Sequence, residues 1–174
     1  MPSPGKIKFK LDNGETAFSL KIMDDGAKLV DAQEMELARI TRSGADKLKI
    51  KDSADKVLAY IVGNTPRFKV EDAAQQKTLF KFQQQDDKDW KLEDGSENTL
   101  AKIKHRDYGM KIVDANEKDL AKVKSDGGKT SIRGSNDKTM LYTNDSINME
   151  AVSPFALKEL SQPIQAALSL ALIK

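Results

Sequence analysis

The chain has 174 residues, 39% of them hydrophobic and 32% charged, which fits one soluble domain with enough length to bury a real core. Lysine and arginine number 29 against 27 acidic residues, and a net charge of +2 argues against general nucleic-acid binding, which needs a sustained basic excess. With no cysteine and one histidine, His105, the sequence excludes disulfides, thiolate nucleophiles, zinc–thiolate sites and any multi-histidine metal site within one chain.

Met1-Pro2-Ser3-Pro4-Gly5 leads directly into alternating lysine and apolar residues, with no signal-peptide pattern, so a cytoplasmic location is expected. From there one unit recurs: an apolar–x–apolar run, an aspartate-led turn, then Leu-Ala-x-Ile or a close variant. Its first copy is loose, with Phe9 and Leu11 followed by Leu20 and Ile22. Leu29-Val30-Asp31 is followed by Leu37-Ala38-Arg39-Ile40, and Leu48-Lys49-Ile50-Lys51-Asp52 by Leu58-Ala59-Tyr60-Ile61. Phe68-Lys69-Val70-Glu71-Asp72 precedes Leu79-Phe80-Lys81-Phe82 after one inserted residue. Trp90 to Asp94 with Leu100-Ala101-Lys102-Ile103, and Met110 to Asp114 with Leu120-Ala121-Lys122-Val123, are the cleanest copies. Ile132-Arg133-Gly134 with Met140-Leu141-Tyr142 closes the series loosely.

Each unit sets two short runs of period-two alternation around a polar segment, which is the pattern of a β-hairpin. Asp12-Asn13-Gly14, Asp24-Asp25-Gly26, Glu93-Asp94-Gly95 and Asp126-Gly127-Gly128 supply residues that tolerate positive φ in tight turns. Lysines alternate with the apolar positions, as at Lys6, Lys8 and Lys10 or Lys47, Lys49 and Lys51, which predicts a sheet with one wet and one dry face. Trp90 falls on the dry face of its repeat and reads as core.

Strand patterning stops near Asn148, so residues 6–147 read as hairpin repeats and 153–174 as a helix within one 1–174 domain. Ser153-Pro154 reads as an N-cap followed by proline in the first turn, and Pro163 is expected to kink the helix or split it. Between Ile164 and Ile173 only Gln165 and Ser169 are polar. The apolar run is about half the roughly 20 residues a membrane span needs, so burial in the domain core is preferred over a lipid-inserting tail or an oligomer contact. The fold expected is all-β with one helix: a closed antiparallel barrel of about twelve strands, built from repeated hairpins around a buried C-terminal hydrophobic helix. A barrel this wide leaves a hole that a helix about 10–12 Å across can fill. Ala38, Ala59, Ala101 and Ala121, at one level of the repeat, make room for it.

The units from Ile112 to Val123 and their like, with Ser153-Pro154 through Lys174, resemble the tubby-like superfamily, which includes the tubby C-terminal domain, LURP-one-related proteins and phospholipid scramblases. The resemblance implies a twelve-stranded barrel around a hydrophobic helix. It also implies, for some members, binding of phosphoinositide headgroups by clustered lysine and arginine. No headgroup motif aligns onto particular residues here, and the cysteine-rich segment and membrane-spanning tail of the scramblases are absent.

Motifs with chemistry lack their context. His105-Arg106-Asp107 spells a kinase triplet without the glycine-rich loop or the downstream Asp-Phe-Gly, and Gly127-Gly128-Lys129-Thr130 has Val123 where a phosphate loop needs glycine. Asp86-Asp87-Lys88-Asp89 lacks EF-hand spacing. No catalytic residue, metal ligand or cofactor is assigned. The candidate for an anionic ligand is Lys102, Lys104, His105 and Arg106, where alternation puts Lys102, Lys104 and Arg106 on one face. The expected function is a non-enzymatic binding or scaffold domain for a protein partner. The alternatives are peripheral binding of anionic phospholipid headgroups and an enzyme using carboxylates at the barrel mouth.

Overall fold

The computed structural model describes residues 3–174. The first four strands are β1 (Gly5–Lys10), β2 (Thr16–Met23), β3 (Gly26–Asp31) and β4 (Glu36–Gly44). There follow β5 (Lys47–Asp52), β6 (Val57–Asn64), β7 (Arg67–Asp72), β8 (Thr78–Gln84) and β9 (Trp90–Asp94). The last are β10 (Thr99–Arg106), β11 (Gly109–Asp114), β12 (Asp119–Asp126), β13 (Lys129–Gly134) and β14 (Thr139–Thr143). Each strand pairs antiparallel with its neighbours in sequence, and β1 meets β14 to close the barrel. The count is fourteen and not about twelve, because the loose first and last repeats form hairpins as complete as the rest.

The turns led by Asp31, Asp52, Asp72, Asp94 and Asp114 lie at one mouth of the barrel, and all but that of Asp72, which is one residue longer, share one geometry. At Asp52 the backbone N–H donates to Lys56 O at 2.9 Å, and Asp52 O accepts from Asp55 N at 3.0 Å. The Asp52 carboxylate then accepts from the N–H groups of Ala54 and Lys56, both at 2.9 Å. The pattern returns at Asp31, Asp94 and Asp114. It is an aspartate side chain standing in for a backbone turn, which is why this residue leads each unit. The fourth turn position is left-handed without being glycine, at Glu34, Asp55, Gln75, Glu97, Glu117 and Asp137.

The leucine of Leu-Ala-x-Ile is a β-bulge. Leu29 pairs with Ala38 and Val30 with Glu36, so Leu37 is extruded between them. Leu58, Leu79, Leu100 and Leu120 slip out of register in the same way, as do Ala17 and Met140 in the outer hairpins. A bulge raises local twist and bends the strand, so its recurrence in every aspartate-turn hairpin curves the sheet toward closure. The alanine that follows is buried in all four cleanly matching copies.

The lumen is filled by a helical hairpin, which replaces the single helix expected over 153–174. The short helix α1 (Met149–Val152) runs into a 3-10 turn (Ser153–Ala156); α2 (Gln162–Leu172) returns. Pro163 sits in the first turn of α2 and starts a helix where a missing N–H costs nothing. Ser153 is not the expected N-cap: it closes α1 at its C-terminal end, its N–H donating to Met149 O and its hydroxyl to Glu150 O at 2.7 Å. Gln165 Nε2 donates to Leu157 O at 2.9 Å and ties the two limbs together. α1 leans on β12 and β13, whereas α2 packs on β3 to β6, so each limb fills one half of the lumen. Ile164, Ala166, Ala167, Leu168, Ser169, Leu170 and Leu172 are all buried. Phe155 seats the first limb against Phe9 and Phe18, with ring centroids 4.8 and 5.0 Å away. No helix among the described residues is long and apolar enough to cross a membrane.

Candidate binding surfaces

Lysines line up across the wall, as the alternation predicts, and cross-strand register brings them face to face. Lys6, Lys21, Lys28, Arg39 and Lys51 are successive partners from β1 to β5. Lys104, Lys111, Lys122 and Arg133 form a second row from β10 to β13. Like charges directly opposite destabilise a sheet. The left-handed turn residues supply compensation by folding back over the wall. Glu34 pairs with Lys6 and Lys21, Asp55 with Lys51, and Asp137 with Lys124 and Arg133.

The sequence-predicted cluster is divided by the same logic. Lys102 and Lys104 lie on the outer wall and share Glu117, with Lys102 Nζ 3.0 Å from Oε1 and Lys104 on Oε2. His105 pairs with buried Met110 and sits at the other barrel mouth. There its Nδ1 is 3.4 Å from Asp89 and its Nε2 3.6 Å from Glu150. Arg106 donates to the His105 carbonyl at 2.7 Å. The structure therefore brings together Lys102 and Lys104, which share one carboxylate that offsets half of their charge, and separates them from His105.

Hydrogen bonds from Lys104 and then Lys102 hold the Glu117 carboxyl at about 2, against an ordinary 4.5. Lys21 and then Lys6 do the same for Glu34. An unfolded chain takes up protons near 4.5, before the folded one does, so this stabilisation is full above that pH and is lost as pH falls through about 2. Both groups are exposed, and the effect is correspondingly small. Glu117→Gln is expected to lower the melting temperature slightly at neutral pH. The gap to the parent should close by pH 2 and shrink in about 1 M salt, as thermal melts across that range would show.

The mouth reached by the C-terminal end of α2 is differently built. Asn148 Nδ2 donates to Leu172 O at 3.0 Å, and Lys174 N donates to Asn148 Oδ1 at 3.1 Å. Lys174 Nζ lies 2.6 Å from Glu150. Partial burial pushes the Glu150 carboxyl up, yet the Lys174 ammonium and then His105 hold it below its usual value. Beside this anchor, between the β4–β5 and β6–β7 turns, runs a groove of about 330 Å³. Leu48, Ile61, Phe68 and Leu170 form its floor, all buried members of the core. Arg42 and Lys47 stand over it with Asp46 and Asn64. Asp46 accepts from Asn64 Nδ2 at 3.1 Å. The Arg42 guanidinium donates to Ala45 O at 2.8 Å and has no carboxylate partner among the described residues. A second recess of about 160 Å³ adjoins it at Thr65, Ala171 and Ile173 and reaches Trp90. The Trp90 indole N–H is buried without a protein acceptor among the described residues. Lys47 belongs to the lysine alternation visible in the sequence. Arg42 carries no sequence signal, because its position over the groove depends on two turns from different hairpins.

These features define a class: a fourteen-stranded antiparallel barrel, occupied by its own C-terminal helical hairpin, with a charged wall. No protein-family model matches the chain, and no curated protein matches it. Among solved structures it is similar to the X-ray structure of an Arabidopsis thaliana protein, at 10% identity over 81% of each chain, with a TM-score of 0.48.

Proposed function

We propose that the chain is a non-enzymatic binding domain of tubby-like type that takes a single-chain anionic lipid at the α2 mouth. The plan of a hairpin wall around apolar C-terminal helices supports the tubby-like reading, with an extra hairpin and a second limb as departures from the family pattern. The observation that carries the ligand is the mouth groove. There the apolar lining of the lumen reaches the surface beneath Arg42 and Lys47. An acyl chain fits the floor and a carboxylate or phosphate fits the guanidinium fork. The carboxylates named at this mouth are engaged, Asp46 by Asn64, Glu150 by Lys174 and Asp89 by the His105 backbone N–H, which favours binding over acid–base work.

Trp90, the single tryptophan, reports on the site, because Phe68 on the groove floor lies 6.2 Å from it, ring centroid to ring centroid. A terminally brominated dodecanoate is expected to quench its fluorescence saturably. Arg42→Glu combined with Lys47→Glu should weaken that binding at least about tenfold, the loss of one charge-assisted contact. Absence of quenching, or quenching indifferent to the charge reversal, overturns the reading.

A further inference from the structure

The barrel closes imperfectly at one place, and the imperfection has a definite chemistry. Every other pair of neighbouring strands runs in register over most of its length, whereas β1 and β14 share the single pair Lys10↔Tyr142. β14 stops at Thr143 because the chain then turns toward the lumen. The edge of β1 from Gly5 to Phe9 therefore has no strand beside it. Alternate residues of a strand direct their N–H and C=O groups to the same edge. The Lys8 N–H faces the gap, and so do the backbone groups of Lys6.

One makeshift partner fills part of the gap: the Asp145 carboxylate accepts from the Lys8 N–H at 2.7 Å. A cleft of about 260 Å³ remains, lined by Lys6, Lys8, Lys10, Asn144 and Asp145. Lys6 is committed to Glu34, but no carboxylate pairs with Lys8 or Lys10 among the described residues. Lys129 prolongs the strip, its ammonium 4.3 Å from the Tyr142 ring centroid next to Lys10. On the other face of β1, Ile7 and Phe9 are buried.

We propose that this seam is a strand-addition site for an extended peptide segment in which acidic residues alternate with β-branched apolar ones. The unpaired backbone of β1 supplies the main-chain hydrogen bonds. Carboxylates on one face of the added strand meet Lys8 and Lys10, and apolar side chains on the other follow Ile7 and Phe9. The incoming backbone carbonyl takes the place of the Asp145 carboxylate at the Lys8 N–H. Lysines on an open edge also discourage self-pairing, and Lys8 and Lys10 thereby select an acidic strand over a second copy of β1. This inference is independent of the mouth groove, which lies between the β4–β5 and β6–β7 turns.

The test uses the full chain labelled with ¹⁵N and a synthetic capped peptide, Glu-Val-Glu-Val-Glu-Val. Binding is expected to shift the amides of β1 and of Thr143 to Asp145 and to slow hydrogen exchange at Lys6 and Lys8. Methylating the peptide nitrogens that face β1, at unchanged charge, should weaken binding about tenfold or more. Lys8→Glu with Lys10→Glu should do likewise, whereas Asp145→Ala should strengthen it by freeing the Lys8 N–H. A thermal melt matching the parent's certifies each variant, with Lys8→Gln replacing any that fails. The proposal is overturned if the peptide does not bind, if N-methylation makes no difference, or if phosphatidylserine vesicles engage Lys8 and Lys10 while the peptide does not.

Discussion

A chain lacking residues 149–174 is expected to lose its fixed tertiary structure while keeping much of its β-sheet. The reason is geometric. About eight strands make a barrel that inward side chains can fill, and each added strand widens it. At fourteen strands the inward residues surround a lumen occupied by two helical limbs. Their partners are the two limbs of the helical hairpin, through Val152, Leu157, Leu160, Ile164, Leu168, Leu170 and Leu172, all buried. Burying one such side chain is worth about 1.5–3 kcal/mol, and whole domains are stable by only about 5–15 kcal/mol. Losing the hairpin therefore exceeds the available stability. The expected signs are loss of the near-ultraviolet signal around Trp90, binding of a hydrophobic dye and a broad melt, with the far-ultraviolet β signal retained. A synthetic peptide of residues 149–174 should restore the near-ultraviolet signal. A truncated chain that melts cooperatively with that signal intact would sink the account.

The same geometry explains what the sequence discloses and what it conceals. Alternation revealed the wet and dry faces, and the aspartates revealed the turns, because both are set by residues close in sequence. Ala38, Ala59, Ala101 and Ala121, read as small inward residues at one level of the repeat, are all buried. The bulges were not legible: Leu37 or Leu58 looks like an ordinary strand residue until its partner strand shows that it is skipped. Every relation between hairpins inherits that difficulty. Glu117 reaches Lys102 and Lys104 from the next hairpin, and that pairing changes the meaning of the basic cluster without leaving a mark in its own sequence. His105 belongs to the mouth, although its neighbours in sequence belong to the wall. Pro163 signalled a break, but only the filled lumen shows that the break is a reversal, with Ser153 inside the first limb. The open edge of β1 was invisible for the same reason, since it depends on where β14 stops.

Leu168→Asp is expected to be the most damaging single substitution in α2. Leu168 is wholly buried at the middle of the second limb. Shortening it to alanine costs about 2–5 kcal/mol through lost contacts and the cavity left behind. A carboxylate there adds several kcal/mol more, because a buried unpaired charge has neither water nor a counter-ion. The two variants separate the contributions: Leu168→Ala should remain folded with a lowered melting temperature, and Leu168→Asp should be unfolded at neutral pH. Acidity provides a further check with a definite sign. Burial raises the folded-state pKa of an introduced carboxyl above its unfolded value near 3.9, so the folded state holds the proton more tightly. The deficit of Leu168→Asp relative to the parent should therefore narrow as pH falls from neutral toward about 4, whereas that of Leu168→Ala should stay constant. Denaturant titrations of the parent and Leu168→Ala at the two pH values, with the folded fraction of Leu168→Asp followed by near-ultraviolet circular dichroism as pH falls, measure this. A Leu168→Asp chain as stable as the alanine variant at neutral pH would mean that the second limb borders water, and the filled-lumen description of the barrel would fall with it.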